Sequence, residues 1–245
     1  MTDKQPDAQQ DLLEALHRQY ATPGAGWRLR IRAWRKRTLW RGVIGFSLLL
    51  KRLLDIIGAA CGILLLSPFF ALVALLIMLE DGRPVFFRQI RVGRHGTLFH
   101  MYKFRSMFRD AEARLKELQQ ANESSDGVIF KMQRDPRITR VGKFIRRASI
   151  DELPQLWNVL RGEMSLVGPR PAIPGEVAQY TLEDRRRLGT KPGITCFWQV
   201  AGRSTIPFKQ QVQLDVQYIE SQSFWIDLKL LLKTIPAVLS GKGAY

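Results

Sequence analysis

The sequence predicts an α/β protein that is mainly α. It combines a membrane-embedded helix–break–helix hairpin, a short β-hairpin and amphipathic helices lying at the interface around a cytoplasm-facing domain. Three observations predict this. Ile56 to Leu79 is a run of 24 residues without a formal charge, long enough for a membrane segment of about 20 residues. Ser67-Pro68 falls in its middle, and both of its flanks are basic. The stretch PVFFRQIRVGRHGTLFHMYKF carries strand-forming residues on both sides of a Gly93–Gly96 turn, the pattern of a β-hairpin.

Composition narrows the partners. The chain has 245 residues, with 38 Lys+Arg against 22 Asp+Glu and a net charge of +16. Hydrophobic residues at 46% and charged residues at 24% exclude a disordered chain. Excess positive charge implies an anionic partner: nucleic acid, a phosphate-bearing substrate or anionic lipid. Two cysteines, Cys61 and Cys196, cannot build a disulfide framework, which fits a reducing, cytosolic setting.

Residues 1–24 are polar, with a short helical pattern from Asp11 to Tyr20 and a stop at Pro23-Gly24. They read as a mobile arm. Residues 27–41 interleave Trp27, Trp34 and Trp40 with seven basic residues, which suits indoles at headgroup level and cations on anionic lipid. A nucleic-acid arm is the competing reading. The apolar block follows. Its proline removes a backbone donor and clashes with the preceding turn. Basic loops favour the cytoplasmic side, so Arg52 upstream and Arg83, Arg88 and Arg91 downstream favour a hairpin that enters and leaves one leaflet. A kinked span is the alternative. Asp55, at the entry, is expected to pair with a neighbouring arginine and anchor the helix at the headgroups.

Beyond the β-hairpin, residues 109–120 read as a charged helix and Asn122 to Gly127 as a loop. Arg137 to Arg147 is strongly basic, and a helix is expected from Leu153 to Leu160. Prolines and glycines punctuate the next stretch, before helices at 208–220 and 224–239. The last is too short and too charged to span, and fits a helix at the interface. The domain boundaries expected are 1–41 for the arm, 42–82 for the membrane segment with its entry, and 83–245 for the cytoplasmic domain.

No glycine-rich nucleotide fingerprint, P-loop or zinc-protease helix occurs. His17, His95 and His100 lack metal-ligand spacing. The absence of Asp-x-Asp weakens a common metal-dependent glycosyltransferase. The informative stretch is RRASIDELPQLWNVLRGEMSLVGPRP, residues 146–171. Ser149 and Glu152 have capping-box spacing, which alone would account for Asp151-Glu152. Pro154 opposes that register, because it would fall at the fifth helical position. If the helix instead starts at Pro154, the acids sit in the loop just before it. Either way they lie near free N–H groups at a helix start, a natural phosphate site. Arg146 precedes them, Arg170 follows in a stiff Gly-Pro-Arg-Pro loop, and Lys103 and Arg105 leave the hairpin. Arginine forks suit phosphate oxygens, and two acids among cations could serve as a nucleophile and a magnesium ligand on a diphosphate. The rival is a membrane-anchored basic module that binds polyanionic polysaccharide or RNA without chemistry.

KRLLD, the apolar helix broken at Ser67-Pro68, YKFRSM, DPRITRVGKFIRRASIDELPQLWNVLRGEMSLVGPRP and KPGITCFWQVAGR occur in that order. Together they resemble the bacterial sugar transferase family, the monotopic phosphoglycosyl transferases, over residues 51–245. The resemblance implies transfer of a sugar-1-phosphate from a UDP-sugar to undecaprenyl phosphate, with release of UMP, at the cytoplasmic face of the bacterial inner membrane. It implies Mg²⁺ at Asp151 and Glu152, Asp151 as the nucleophile of a ping-pong reaction, and Lys103, Arg146 and Arg170 on phosphates. It also favours the re-entrant hairpin at Ser67-Pro68. The C-terminal run KTIPAVLSGKGAY resembles members that start exopolysaccharides with glucose or galactose. Anionic phospholipid is an expected partner and nucleic acid is not. Downstream glycosyltransferases and a second copy of the chain are left open.

Overall fold

In a computed structural model of the chain, the described residues are 23–111, 113, 135–202 and 206–240. The expected helix at 11–20, most of that at 109–120 and the loop at 122–127 lie outside them. The chain divides into two compact units, residues 1–49 and 50–245.

One helix, α1 (Pro23–Asp81), runs through the basic–aromatic segment and the apolar block. Pro23 opens it, at a position where the missing N–H costs nothing. In the first unit, Trp27, Leu29, Trp34 and Leu39 are exposed. In the second, the most hydrophobic window has a mean hydropathy of 2.7, and only 11% of it is buried. That excludes the core helix of a soluble fold, and the segment is long and apolar enough to cross a membrane.

The expected interruption at Ser67-Pro68 takes a milder form. The helix continues through Pro68, and the Ser67 hydroxyl donates to the Leu64 carbonyl at 2.8 Å, a back-bond that tends to bend helices. Leu64 and Leu65 beside it are about three-quarters exposed. Both flanking parts of α1 pack on the rest of the unit. Ala59 and Ile63 join a core with Leu156, Val159, Leu166 and Tyr218. Phe69, Val73 and Ile77 join another with Phe104 and Ile145.

The β-hairpin forms as expected, with β1 (Phe86–Val92) antiparallel to β2 (Leu98–Phe104). Next come α2 (Arg140–Arg147), a 3₁₀ turn (Ile150–Glu152), α3 (Gln155–Arg161) and β3 (Ser165–Val167). Then follow α4 (Pro174–Ala178), β4 (Gly193–Thr195), α5 (Phe197–Ala201), α6 (Phe208–Ser221) and α7 (Phe224–Ser240). Strand β4 pairs parallel with β3. On α7, Asp227 and Leu230 are buried while Trp225, Leu232 and Ile235 are exposed.

The entry of the apolar block is tied down polar group by polar group. The Lys51 ammonium donates to Asp227 Oδ2 at 2.7 Å, the Val167 carbonyl at 3.0 Å and the Tyr218 hydroxyl at 3.1 Å. Tyr218 in turn donates to Asp227 Oδ1 at 2.7 Å. Arg52 donates to the Val159 and Leu160 carbonyls at 2.7 and 2.9 Å, near the end of α3, where a cation complements the helix dipole. Among the described residues Asp55 does not pair with an arginine. It accepts the Ser165 hydroxyl and the Leu166 N–H, both at 2.9 Å. Buried at 3% exposure, it joins the helix to β3 rather than to headgroups. The neighbouring Arg52 is taken up by the Val159 and Leu160 carbonyls, and the start of β3 supplies Asp55 with neutral donors instead.

At the other end, Glu80 accepts the N–H groups of Arg140 and Val141 at 2.7 and 2.9 Å, capping α2. Arg105 donates to the carbonyls of Asp81 and Gly82 at 3.0 and 2.8 Å.

Removing one partner of a buried ion pair leaves an uncompensated charge, at a cost of about 3–5 kcal/mol. Lys51→Met should therefore lower stability by about that amount, as should Asp227→Asn to a lesser degree. The Lys51→Met/Asp227→Leu double variant should recover much of the loss. Denaturant titration of the detergent-purified chain checks this.

Candidate active site

Three supports bring the site together. The first is the hairpin, whose register places Phe87 opposite Lys103, Gln89 opposite Met101 and Arg91 opposite Phe99. Facing residues share a side of the sheet, so Arg91 and Lys103 project from one face. The second is α3. Asn158 accepts the Tyr102 N–H at 3.1 Å and donates to the His100 carbonyl at 2.7 Å, locking α3 to β2. The third is the Val167–Ala172 loop. Its Gly168 N–H donates to the Thr195 carbonyl and the Gly193 N–H donates to the Pro169 carbonyl, each at 2.9 Å. A Cβ on Gly168 would lie 2.4 Å from the Lys191 carbonyl oxygen, and one on Gly193 would lie 2.0 Å from the Gly168 nitrogen. Two strands can approach this closely only where neither carries a side chain.

Asp151 and Glu152 stand in the 3₁₀ turn, directly before α3, whose N-cap is Pro154. The capping-box register is thereby overturned. Ser149 makes no side-chain cap and holds a left-handed conformation, φ 55°, ψ 21°. For a non-glycine residue that costs about 1 kcal/mol or more, and it turns the chain sharply from α2 into the acids. Glu152 pairs with Lys103, Oε1 to Nζ, at 2.7 Å. Asp151 is buried at 8% exposure and accepts no side-chain hydrogen bond among the described residues.

The surroundings drive the two carboxyls apart. Burial raises Asp151 to about 6; the Glu152 charge adds to the rise, while Lys103, Arg146 and Arg170 oppose it. Burial also acts against the charged form of Glu152, but Lys103 and Arg170 outweigh it and hold that group at about 2. Pairs separated in this way mark division of labour between two acids.

A depression beside them is lined by Arg91, Lys103, Glu152, Gln155, Arg170 and Gln199. Arg170 is exposed there. Arg91 is buried; it donates to the Pro171 carbonyl at 2.8 Å and to Gln89 Oε1 at 3.0 and 2.6 Å. Burial and the nearby Arg170 charge pull its guanidinium down to about 10. Of the sequence-predicted residues, Lys103, Glu152 and Arg170 line the depression, and Asp151 adjoins Glu152. Arg146, half-buried, acts on Asp151 by its charge. Arg105 is placed elsewhere, on the carbonyls that end α1. Strand β2 stops at Phe104, so the i, i+2 relation to Lys103 does not carry over. Ser67 and Pro68 belong to α1.

Sequence reasoning missed Arg91, Gln155 and Gln199. Strand periodicity could have found Arg91, since it shares a face with Lys103. Among the described residues no group of three or more His, Cys, Asp or Glu could hold a metal by itself. A magnesium ion shared with a diphosphate needs only one or two carboxylates, and the unpartnered Asp151 beside Glu152 fits that role.

A basic depression built on a hairpin and a helix start, beside two dissimilar acids, has the charge and the donors that phosphate groups need. The model of the bacterial sugar transferase family matches residues 46–241, and the chain belongs to that family. It is 50% identical over 198 residues to the galactosyl transferase CpsE of Streptococcus agalactiae, covering 80% of this chain and 44% of that protein. It is 43% identical over 202 residues to the UDP-galactose-lipid carrier transferase of Erwinia amylovora, covering 81% and 42%. Identity to the undecaprenyl-phosphate galactose phosphotransferase of Salmonella typhimurium is 42% over 205 residues, covering 81% and 42%. The chain thus spans less than half the length of these relatives.

Overpacking at the Gly168–Gly193 contact must push Arg170 away from the acids. Gly193→Ala should cost about 1–3 kcal/mol and weaken binding of inorganic pyrophosphate. Denaturation and calorimetric titration measure the two effects.

Proposed function

We propose that the chain is a polyprenyl-phosphate phosphoglycosyl transferase. It moves a hexose-1-phosphate, of glucose or galactose, from a UDP-sugar to undecaprenyl phosphate and releases UMP, as the first step of exopolysaccharide assembly. The observation that carries this reading is the Asp151–Glu152 pair, one acid held ionised and the other raised towards neutrality, within a ring of Lys103, Arg91, Arg146 and Arg170. The names of the relatives above support the substrates, and three of them specify galactose.

In this reading Lys103, Arg91 and Arg170 grip the diphosphate and orient it. Asp151 attacks the sugar-bearing phosphorus. The bond from that phosphorus to the oxygen of UMP breaks, and UMP leaves with the electron pair. An oxygen of the lipid phosphate then attacks the same phosphorus, and the Asp151 carboxylate departs. Splitting one transfer into two lowers each barrier. Glu152, held ionised by Lys103, supports the negative side of the site and would hold Mg²⁺ together with Asp151. When bound, the ion would neutralise charge on the transferring phosphoryl.

The apolar part of α1 enters and leaves the inner leaflet on one side in this reading. Residues 59–63 and 69–77 pack on the same body. A span would carry the second group across about 30 Å of hydrocarbon, away from Phe104 and Ile145. The exposed Trp225, Leu232 and Ile235 of α7 lie at the interface, with the body facing the cytoplasm.

Asp151→Asn should reduce UMP release by about three orders of magnitude or more with the fold intact. Wild-type chain incubated with UDP-sugar and Mg²⁺ alone should gain the mass of one sugar-phosphate. Intersecting double-reciprocal lines with no adduct would leave Asp151 as a metal ligand only. Topology is checked separately: a cysteine placed in the N-terminal arm should resist periplasmic labelling in intact cells, and strong labelling would establish a span.

A further inference from the structure

We propose that Gln155 and Gln199 form an amide pair that donates hydrogen bonds to non-bridging oxygens of a nucleoside diphosphate, as neutral partners of the cations around it. This rests on the phosphoglycosyl transfer reading above.

Gln155 is 3% exposed and lines the depression with Arg91, Lys103, Glu152 and Arg170. Its side chain makes no hydrogen bond among the described residues. A glutamine this deep in the structure whose amide makes no bond among those residues calls for a reason. Its place supplies one. It opens α3, three residues after Glu152, where a phosphoryl group approached by Asp151 would rest.

Gln199 lines the same depression from α5. The buried Cys196 thiol donates to its Oε1 at 3.2 Å. With the carbonyl oxygen engaged, the group left to meet a ligand is the NH₂, which only donates. Non-bridging phosphate oxygens only accept. Sugar hydroxyls do both, so a donor-only group is the poorer match for them.

Charge explains why amides stand here rather than further cations. Arg91, Lys103 and Arg170 already crowd against one another, with Glu152 as the acid on that lining. A fourth cation would add repulsion in the empty site and hold a departing nucleotide too firmly. An amide supplies the donor without the charge.

The test uses the full chain in lipid nanodiscs, with UDP as a probe that carries the diphosphate and no sugar. Gln155→Leu and Gln199→Leu should each weaken UDP binding by about tenfold or more, since a hydrogen bond to a charged group contributes about 1.5–3 kcal/mol. Uridine binding should not change. KM for UDP-glucose and UDP-galactose should rise by one common factor. Gln155→Glu keeps the side chain's size and should weaken UDP more than Gln155→Leu does, which loss of packing could not produce. Unchanged UDP binding in the leucine variants overturns the inference. A penalty that differs between the two epimeric donors while UDP binding holds also overturns it, and assigns the amides to the sugar. If wild-type chain binds UDP but releases no UMP from UDP-sugars, the functional reading fails, and the UDP comparison still decides the amide pair.

Discussion

The buried ammonium of Lys51 is the point on which the second unit depends. It reaches a strand carbonyl, a tyrosine hydroxyl and a carboxylate at once, and so joins the apolar helix to β3, α6 and α7. An isolated charge in such a place would be prohibitive. Three short bonds make it tolerable and fix the geometry of all the elements that supply them. Arg52 and Asp55, one and four residues on, extend the same seam to α3 and β3. The elements joined there are those that carry the acids and the Arg170 loop. The height of the site relative to the apolar helix is therefore set by buried polar bonds, which tolerate little sliding.

The acids use sequence adjacency to reach different environments. Consecutive residues on a 3₁₀ turn point about 120° apart. Glu152 meets Lys103, whereas Asp151 turns into a buried position without a hydrogen bond among the described residues. The left-handed Ser149 makes this turn, and its conformational cost sits immediately beside the acids. Strain of that kind persists only where the neighbouring structure over-determines it, and here α2, capped by Glu80, holds the chain on one side while Pro154 and α3 hold it on the other.

Much of this was legible in the sequence because it rests on local pattern. The uncharged run, the hairpin and the helices near 208–220 and 224–239 follow from periodicity, and the grouping of Lys103, Glu152 and Arg170 follows from the resemblance of their motifs to the family's. The losses have physical reasons. Asp55 and Lys51 were opaque because their partners lie more than 100 residues away. Arg105 was grouped with the phosphate-binding cations by its charge alone, whereas it bonds the carbonyls that end α1, more than 20 residues away in the chain. The parallel pairing of β3 and β4 involves three residues on each side, too few for a period to show. Gln155 and Gln199 carry no charge, so only their place on the lining of the depression distinguishes them.

Ties at both ends of the apolar helix bear on how the protein can be cut. An anchor that is merely tethered can be trimmed away to leave a soluble enzyme. Here, severing the chain after residue 82 would strip Ala59, Val73 and Ile77 from two cores, take the Lys51 counter-ion from Asp227, and leave α2 without its Glu80 cap. The apolar helix is thus an inner wall of the second unit rather than a detachable module, and the smallest autonomous unit must include it.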